Sequence, residues 1–207
     1  NPAVLSTGKE RGRIYRIVST SAPAPSASTF APGLGSATDA QLVAALGHPN
    51  VWWRRTAQRL LVTRGRRDAV TALNDLVERR PSALARLHAL WTLEGLDRLT
   101  PAHVRTALGD ADPGVRENAI VLAERFPTDA SLATALIGMT GDADARVRFQ
   151  LLATLGSLDT PASREAQDAL LLAGIDDEWM QVAALSASSD RAAAWFDRHG
   201  HAAVFVG

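Results

Sequence analysis

Histidine and carboxylate side chains are the groups that most readily hold a metal or move a proton near neutral pH, and in this sequence they do not converge. The five histidines, His48, His88, His103, His199 and His201, are scattered, and only His199-x-His201 has a spacing that suits two ligands. The acid pairs Asp110-x-Asp112 and Asp176-Asp177 stand where helices are expected to begin, so capping accounts for them. No Gly-rich phosphate loop, Gly-x-Ser-x-Gly elbow or His-Glu-x-x-His string occurs. The absence of cysteine excludes disulfides, thiolate metal sites, cysteine nucleophiles and covalent haem attachment within these residues. The segment is therefore expected to hold no metal or cofactor of its own and to catalyse nothing. What folding explains least is Val51-Trp52-Trp53-Arg54-Arg55, followed by Arg59. If Trp53 faces the core with Ala57 and Leu60, then Trp52, Arg55 and Arg59 share an adjacent helical face, because they are three and four residues apart. An aromatic ring flanked by arginines suits an interface anchor; the alternative is that Trp52 packs under the incoming linker.

These side chains must be positioned by a repeat. Trp53, Ala85, Val115, Val147 and Trp179 align in one column, at successive spacings of 32, 30, 32 and 32 residues. Three positions before each anchor stands Asn50, Ser82, Asp112, Asp144 or Asp176, each able to cap a helix start. One position after come Arg54, Arg86, Arg116, Arg148 and then Met180; four after come Ala57, Ala89, Ala119, Leu151 and Ala183. This ladder predicts an all-α fold, an α-solenoid of about five helical hairpins. Each unit pairs a first helix (39–46, 68–77, 102–108, 130–139, 162–172) with the anchored second helix, and 190–199 would open a sixth. The Asp and Arg columns read as structural, with each Arg reaching the Asp of its own or the next unit. The row Thr56, His88, Asn118, Gln150 lies beside the core face, where side chains can bond from unit to unit. The recurring string Asp-x-Asp-x-x-Val-Arg-x-x-Ala, clearest at 110–119 and 142–151, resembles the short HEAT-like repeat, and the resemblance covers 38 to about 188. Thr100-Pro101-Ala102-His103 is similar to an ankyrin signature but does not recur, and an N-cap followed by proline explains it.

Composition suits a soluble, largely helical chain: 207 residues, 46% hydrophobic, with a formal charge of zero. That balance gives no global field toward nucleic acid or membrane. The charge is nonetheless uneven. Residues 40–67 hold six arginines and no acid, whereas 110–178 hold thirteen acids against five arginines, so a basic end and an acidic end are expected. No apolar run is long enough to span a bilayer, and no signal-peptide layout is seen at the start. Residues 11–18 read as one strand carrying Tyr15, 19–37 as an uncharged Ser/Ala/Pro linker, and 38–207 as the repeat domain. A strand with unpaired edges invites association, which adds Tyr15 to Trp52, Arg55 and Arg59 as an interface candidate. Opening on Asn1-Pro2, the chain reads as a processed product or an excised piece.

Longer strings carry a more specific likeness. His48-Pro49-Asn50 with Trp52-Trp53-Arg54, then Thr56-Ala57-Gln58-Arg59-Leu60-Leu61, then Ala85-Arg86-Leu87-His88-Ala89-Leu90-Trp91-Thr92-Leu93-Glu94-Gly95-Leu96 resemble the helical middle region of bacterial propeller, HEAT and cytochrome c proteins related to sorbosone dehydrogenase. Gly12-Arg13-Ile14-Tyr15-Arg16-Ile17 looks like the closing strand of their propeller. The resemblance spans 12 to about 122 and implies an extracytoplasmic, redox-associated parent whose haem c and dehydrogenase parts lie elsewhere. It implies, for this segment, a non-catalytic scaffold whose partner is a protein or the neighbouring propeller-like domain. A free-standing HEAT-like scaffold is the alternative. A third class, the HEAT-like alkylpurine DNA glycosylases, would use Trp52, Trp53, Arg55, Arg59, Arg66 and Arg67 on DNA, but the acidic central and C-terminal units oppose a phosphate backbone.

Overall fold

Helix starts in this chain are written by short oxygen-bearing side chains. Thr38, Asn50, Ser82, Thr100, Asp112, Asp129, Asp144 and Thr160 each accept a backbone N–H of the first turn they precede, and Asp177 accepts the N–H of Trp179 at 2.9 Å. Such caps satisfy donors that a helix start otherwise leaves open, worth about 1 kcal/mol each. Pro101, Pro113 and Pro161 open three of these helices, where a missing N–H costs nothing.

The computed structural model describes residues 33–79, 82–158 and 160–187, together with Ala193, Trp195 and Asp197. Among them are ten α-helices and no strand, so the fold of the described residues is all-α. The helices are α1 (Asp39–Ala45), α2 (Val51–Thr63), α3 (Val70–Arg79), α4 (Ala83–Gly95), α5 (Pro101–Leu108), α6 (Pro113–Ala123), α7 (Ala130–Ile137), α8 (Ala145–Leu155), α9 (Pro161–Ala173) and α10 (Glu178–Ala187). The expected strand at 11–18 with Tyr15, most of the linker, and the His199-x-His201 pair lie outside the described residues.

The helices pack in two rows. Odd-numbered helices lie against one another in order, even-numbered helices do the same, and each odd helix also packs on the even helix that follows it. Leu42, Leu46, Leu61, Leu73, Leu90, Leu93, Ile120, Leu132, Leu136 and Leu151 are fully buried between the rows. The helical unit begins at Leu34, ahead of the Thr38 boundary drawn from composition. A 3₁₀ turn at Leu34–Ser36 buries Leu34, and Arg64 donates to the carbonyl oxygens of Gly35 and Ala37, so these linker residues belong to the first pair.

The fifth unit departs from the repeat by one residue. Asp177, not Asp176, supplies the cap, and Met180 rather than Trp179 is the buried anchor. The tandem Asp176-Asp177 offers two caps at adjacent positions. Choosing the second buries Met180 with Ala183 and Ala184 and leaves Trp179 at the surface, 68% exposed. The shift also reveals a fifth member of the arginine column. Gln181 donates to the carbonyl of Ile175 at 2.7 Å, as Arg148 does to Asp142 and Arg116 to Asp110. Met180, expected in that column, is therefore a core residue. Beyond α10, Ala193, Trp195 and Asp197 are helical, and the buried indole of Trp195 donates to Asp168 on α9.

Candidate functional site

Two kinds of side chain stand on the even-numbered helices: those consumed in tying the units together and those left free. The arginine column belongs to the first kind. Arg86 on α4 makes a bidentate pair with Asp110, Nε to Oδ2 at 2.6 Å and Nη2 to Oδ1 at 2.7 Å. Arg116 on α6 pairs in the same way with Asp142 at 2.7 and 2.8 Å. Each therefore reaches forward to the first Asp of the next Asp-x-Asp string. That Asp also accepts the backbone N–H of the cap, Asp112 at 2.8 Å and Asp144 at 2.9 Å. The two acids divide the work: one receives the guanidinium, the other caps the helix. Arg116, hydrogen-bonded to Asp142, holds that carboxyl below its ordinary range despite the opposing effect of burial. Arg148 has Ile175 where a carboxylate would stand, and among the described residues it donates only to the carbonyls of Asp142 and Ala143.

Arg54 solves the same problem without an acid. It donates to the carbonyls of His48 and Pro49, and its Nε–H points at Nε2 of His88 on α4, 3.2 Å away. Nε2 must then accept, so Nδ1 carries the proton and donates to Gln58 Oε1 at 2.7 Å. Burial, reinforced by Arg54 and Arg55, lowers the His88 pKa below its ordinary 6.5. Two further members of that row bond across units or within them. Asn118 accepts the indole N–H of Trp91 at 2.9 Å, while Gln150 donates to Thr154, which donates to Glu124 of the preceding unit.

A depressed histidine pKa stabilises the fold above its unfolded value, and that stability is lost as pH falls from about 6.5 through the folded value. The urea midpoint is thus expected to be level above about pH 7 and to fall below 6.5, and His88→Gln should remove most of that slope. His103, also depressed by burial, adds a contribution of the same sign. An unaltered slope in the variant would show that His88 is not the neutral link between α2 and α4.

The free side chains lie one, two and six positions from each anchor, on the outward face of the even-numbered row. On α2 these are Trp52, Arg55 and Arg59, all exposed; on α4 the same positions hold Leu84, which is exposed, and Leu87 and Trp91, which are half-buried against the core. The spacing argument for a shared Trp52, Arg55 and Arg59 face agrees with the geometry. Those three residues line one wall of an open groove of about 660 Å³, and Trp91, Glu94 and Gly95 line the other. Trp52 is 53% exposed and stands edge-on to Trp53, whose ring in turn stacks on His48 at 5.1 Å. Neither Arg55 nor Arg59 makes a hydrogen bond or ion pair with any described residue, while the groove's one acid, Glu94, is bound by Arg125 from α6's C-terminal side.

The chain matches no family model, no curated protein and no solved structure.

The groove presents two guanidiniums with no counter-charge among the described residues, and two indoles. Sequence spacing finds the α2 wall but not the α4 wall, since Trp91, Glu94 and Gly95 reach it only through packing between units. A second hollow of about 330 Å³ lies further along the same row, lined by Glu117, Arg146, Phe149, Asp177, Trp179 and Met180. Its acids and exposed indole make the far end of the face opposite in charge to the first. Among the described residues no cluster of histidines and acids could hold a metal ion, and no helix is long and apolar enough to cross a membrane.

Proposed function

We propose that residues 38 to about 188 form an α-solenoid of five HEAT-like helical pairs that acts as a non-catalytic interaction scaffold. It docks a protein partner, or a neighbouring propeller-like domain of an extracytoplasmic redox protein, on its even-helix face through Trp52, Arg55 and Arg59. The observation that carries this reading is the division of the arginines on α2. Arg54 is consumed by the ladder, whereas Arg55 and Arg59, beside an exposed indole, have no hydrogen-bond or ion-pair partner among the described residues. Folding gains nothing from leaving large apolar and cationic groups together at a surface, and such clusters are the usual anchors of protein interfaces. The two-row packing supports the solenoid part of the proposal, since each unit buries its apolar face chiefly against its neighbours. The glycosylase reading is disfavoured by Glu117 and Asp177 on the same face, which a phosphate backbone following the row would meet.

The test is association in trans between the helical unit and the separately expressed domain that the resemblance expects ahead of residue 1. Trp52→Ala is expected to weaken association at least about tenfold, with the melting temperature of the helical unit nearly unchanged. Unaltered association together with a marked fall in melting temperature would make Trp52 a core residue and overturn the reading.

A further inference from the structure

The groove between α2 and α4 also indicates what kind of segment fills it. We infer, on the reading that this face is the docking side, that the groove takes an acidic peptide segment of the protein partner, with two carboxylates on Arg55 and Arg59 and an apolar side chain against Trp52 and Trp91. Charge complementarity favours such a segment. Arg55 and Arg59 carry no counter-charge from any described residue, and Glu94 across the groove is occupied by Arg125. An approaching carboxylate therefore meets two cations and no competing free anion. Arg66, a little further along the chain, is by contrast already paired with Asp39 at 3.1 Å.

The spacing of the two arginines suits it as well. Residues four apart on a helix present their Cβ atoms about 5–6 Å apart. In an extended chain, side chains on the same side recur every second residue, at about 6.5–7 Å. An Asp-x-Asp string running along α2 thus sets one carboxylate over each guanidinium, in the planar two-point geometry that arginine favours. The residue preceding that string on the same side then lies over Trp52, one helical turn back. Polynucleotide is the other anionic candidate, but the cationic stretch is short. The hollow further along the same face is lined by Glu117 and Asp177, and its one arginine, Arg146, is already paired with Asp144 at 3.6 Å, so a continuing phosphate backbone would be repelled where a short peptide simply ends.

The experiment uses the full chain and fluorescein-labelled heptapeptides of sequence Ser-Leu-Ser-Asp-Ser-Asp-Ser, with Asn and Lys versions in place of the two Asp, and a twelve-residue oligo-dT. Anisotropy is read at pH 7.5 in low and moderate salt. The Asp peptide is expected to bind at least about tenfold more tightly than the Asn peptide, and to weaken as salt rises. The Arg55→Glu/Arg59→Glu variant should lose the Asp peptide by about 30-fold or more and gain the Lys peptide. Because neither arginine makes a hydrogen bond or ion pair with a described residue, the variant's melting temperature should stay close to that of the parent. Equal binding of the Asp and Asn peptides, weakened by Trp52→Ala but not by the charge reversal, would overturn the acidic-segment inference while leaving the groove as docking site. No binding of any peptide, or binding that neither variant alters, would overturn both. Oligo-dT binding more tightly than the Asp peptide and lost on charge reversal would replace the peptide with nucleic acid.

Discussion

Arg86→Ala is expected to destabilise the chain by about 3–5 kcal/mol, the cost of removing one partner from a buried ion pair. The side chains of Arg86 and Asp110 are only 9% and 4% exposed, and the two bonds between them are short and parallel. Truncation removes the guanidinium but not the carboxylate, whose charge then stays in a poorly hydrated seam between α4 and the turn into α6. The native pair itself contributes much less than this figure, because both charges were desolvated to form it. Replacing both residues, Arg86→Met with Asp110→Leu, is accordingly expected to recover most of the loss. Arg148→Ala provides the contrast: it removes bonds to two carbonyls and no ion pair, so about 1 kcal/mol is expected. Urea unfolding of the variants measures all of these. Equal losses for Arg86→Ala and Arg148→Ala would show that the Asp110 carboxylate is well hydrated after all.

Gly95→Ala is expected to cost about 1–3 kcal/mol, although the same change in a helix normally gains up to about 1 kcal/mol. A Cβ at Gly95 would lie 2.8 and 3.1 Å from the two γ-carbons of Val62 on α2. Valine in a helix has essentially one χ1 rotamer, so it cannot swing aside. The glycine is thus what lets α2 and α4 approach at the end of the groove. In a Val62→Ala background the obstacle is gone, and Gly95→Ala should become neutral or stabilising. A double-mutant cycle in urea reads this coupling directly. If the sign does not reverse, the close approach of the two helices is not what Gly95 provides.

The parts of this fold that the sequence makes legible are those set by helix geometry alone. Asn50, Ser82, Asp112 and Asp144 cap helices because an oxygen-bearing side chain just before an apolar period leaves few other arrangements for the first turn. Trp52, Arg55 and Arg59 share a face for the same reason. The fifth unit is misread by one position because Asp176 and Asp177 are equally good caps, and the choice falls to which of Trp179 and Met180 the core accepts. Contacts between units are legible only as a possibility: Arg86 could reach its own cap or the next unit's acid, and packing selects Asp110. The Arg54 to His88 link, 34 residues apart, and the α4 wall of the groove have no local signature at all. A boundary at Leu34 is hidden by a linker-like composition whose one buried leucine only the folded chain reveals.

The bidentate pairs are not distributed evenly. They clasp α4 to the entry of α6 and α6 to the entry of α8. The α2–α4 seam instead rests on an uncharged imidazole, and at the α8–α10 seam Arg148 grips only its own unit. In a row where each unit leans chiefly on its neighbours, local opening starts at the weakest junctions. The chain should therefore breathe from both termini toward a stiff central kernel of three units. The groove carrying Arg55 and Arg59 lies on one of the yielding junctions, so a ligand seated there would also act as a staple, lending the first pair of helices the rigidity that its own charges do not supply.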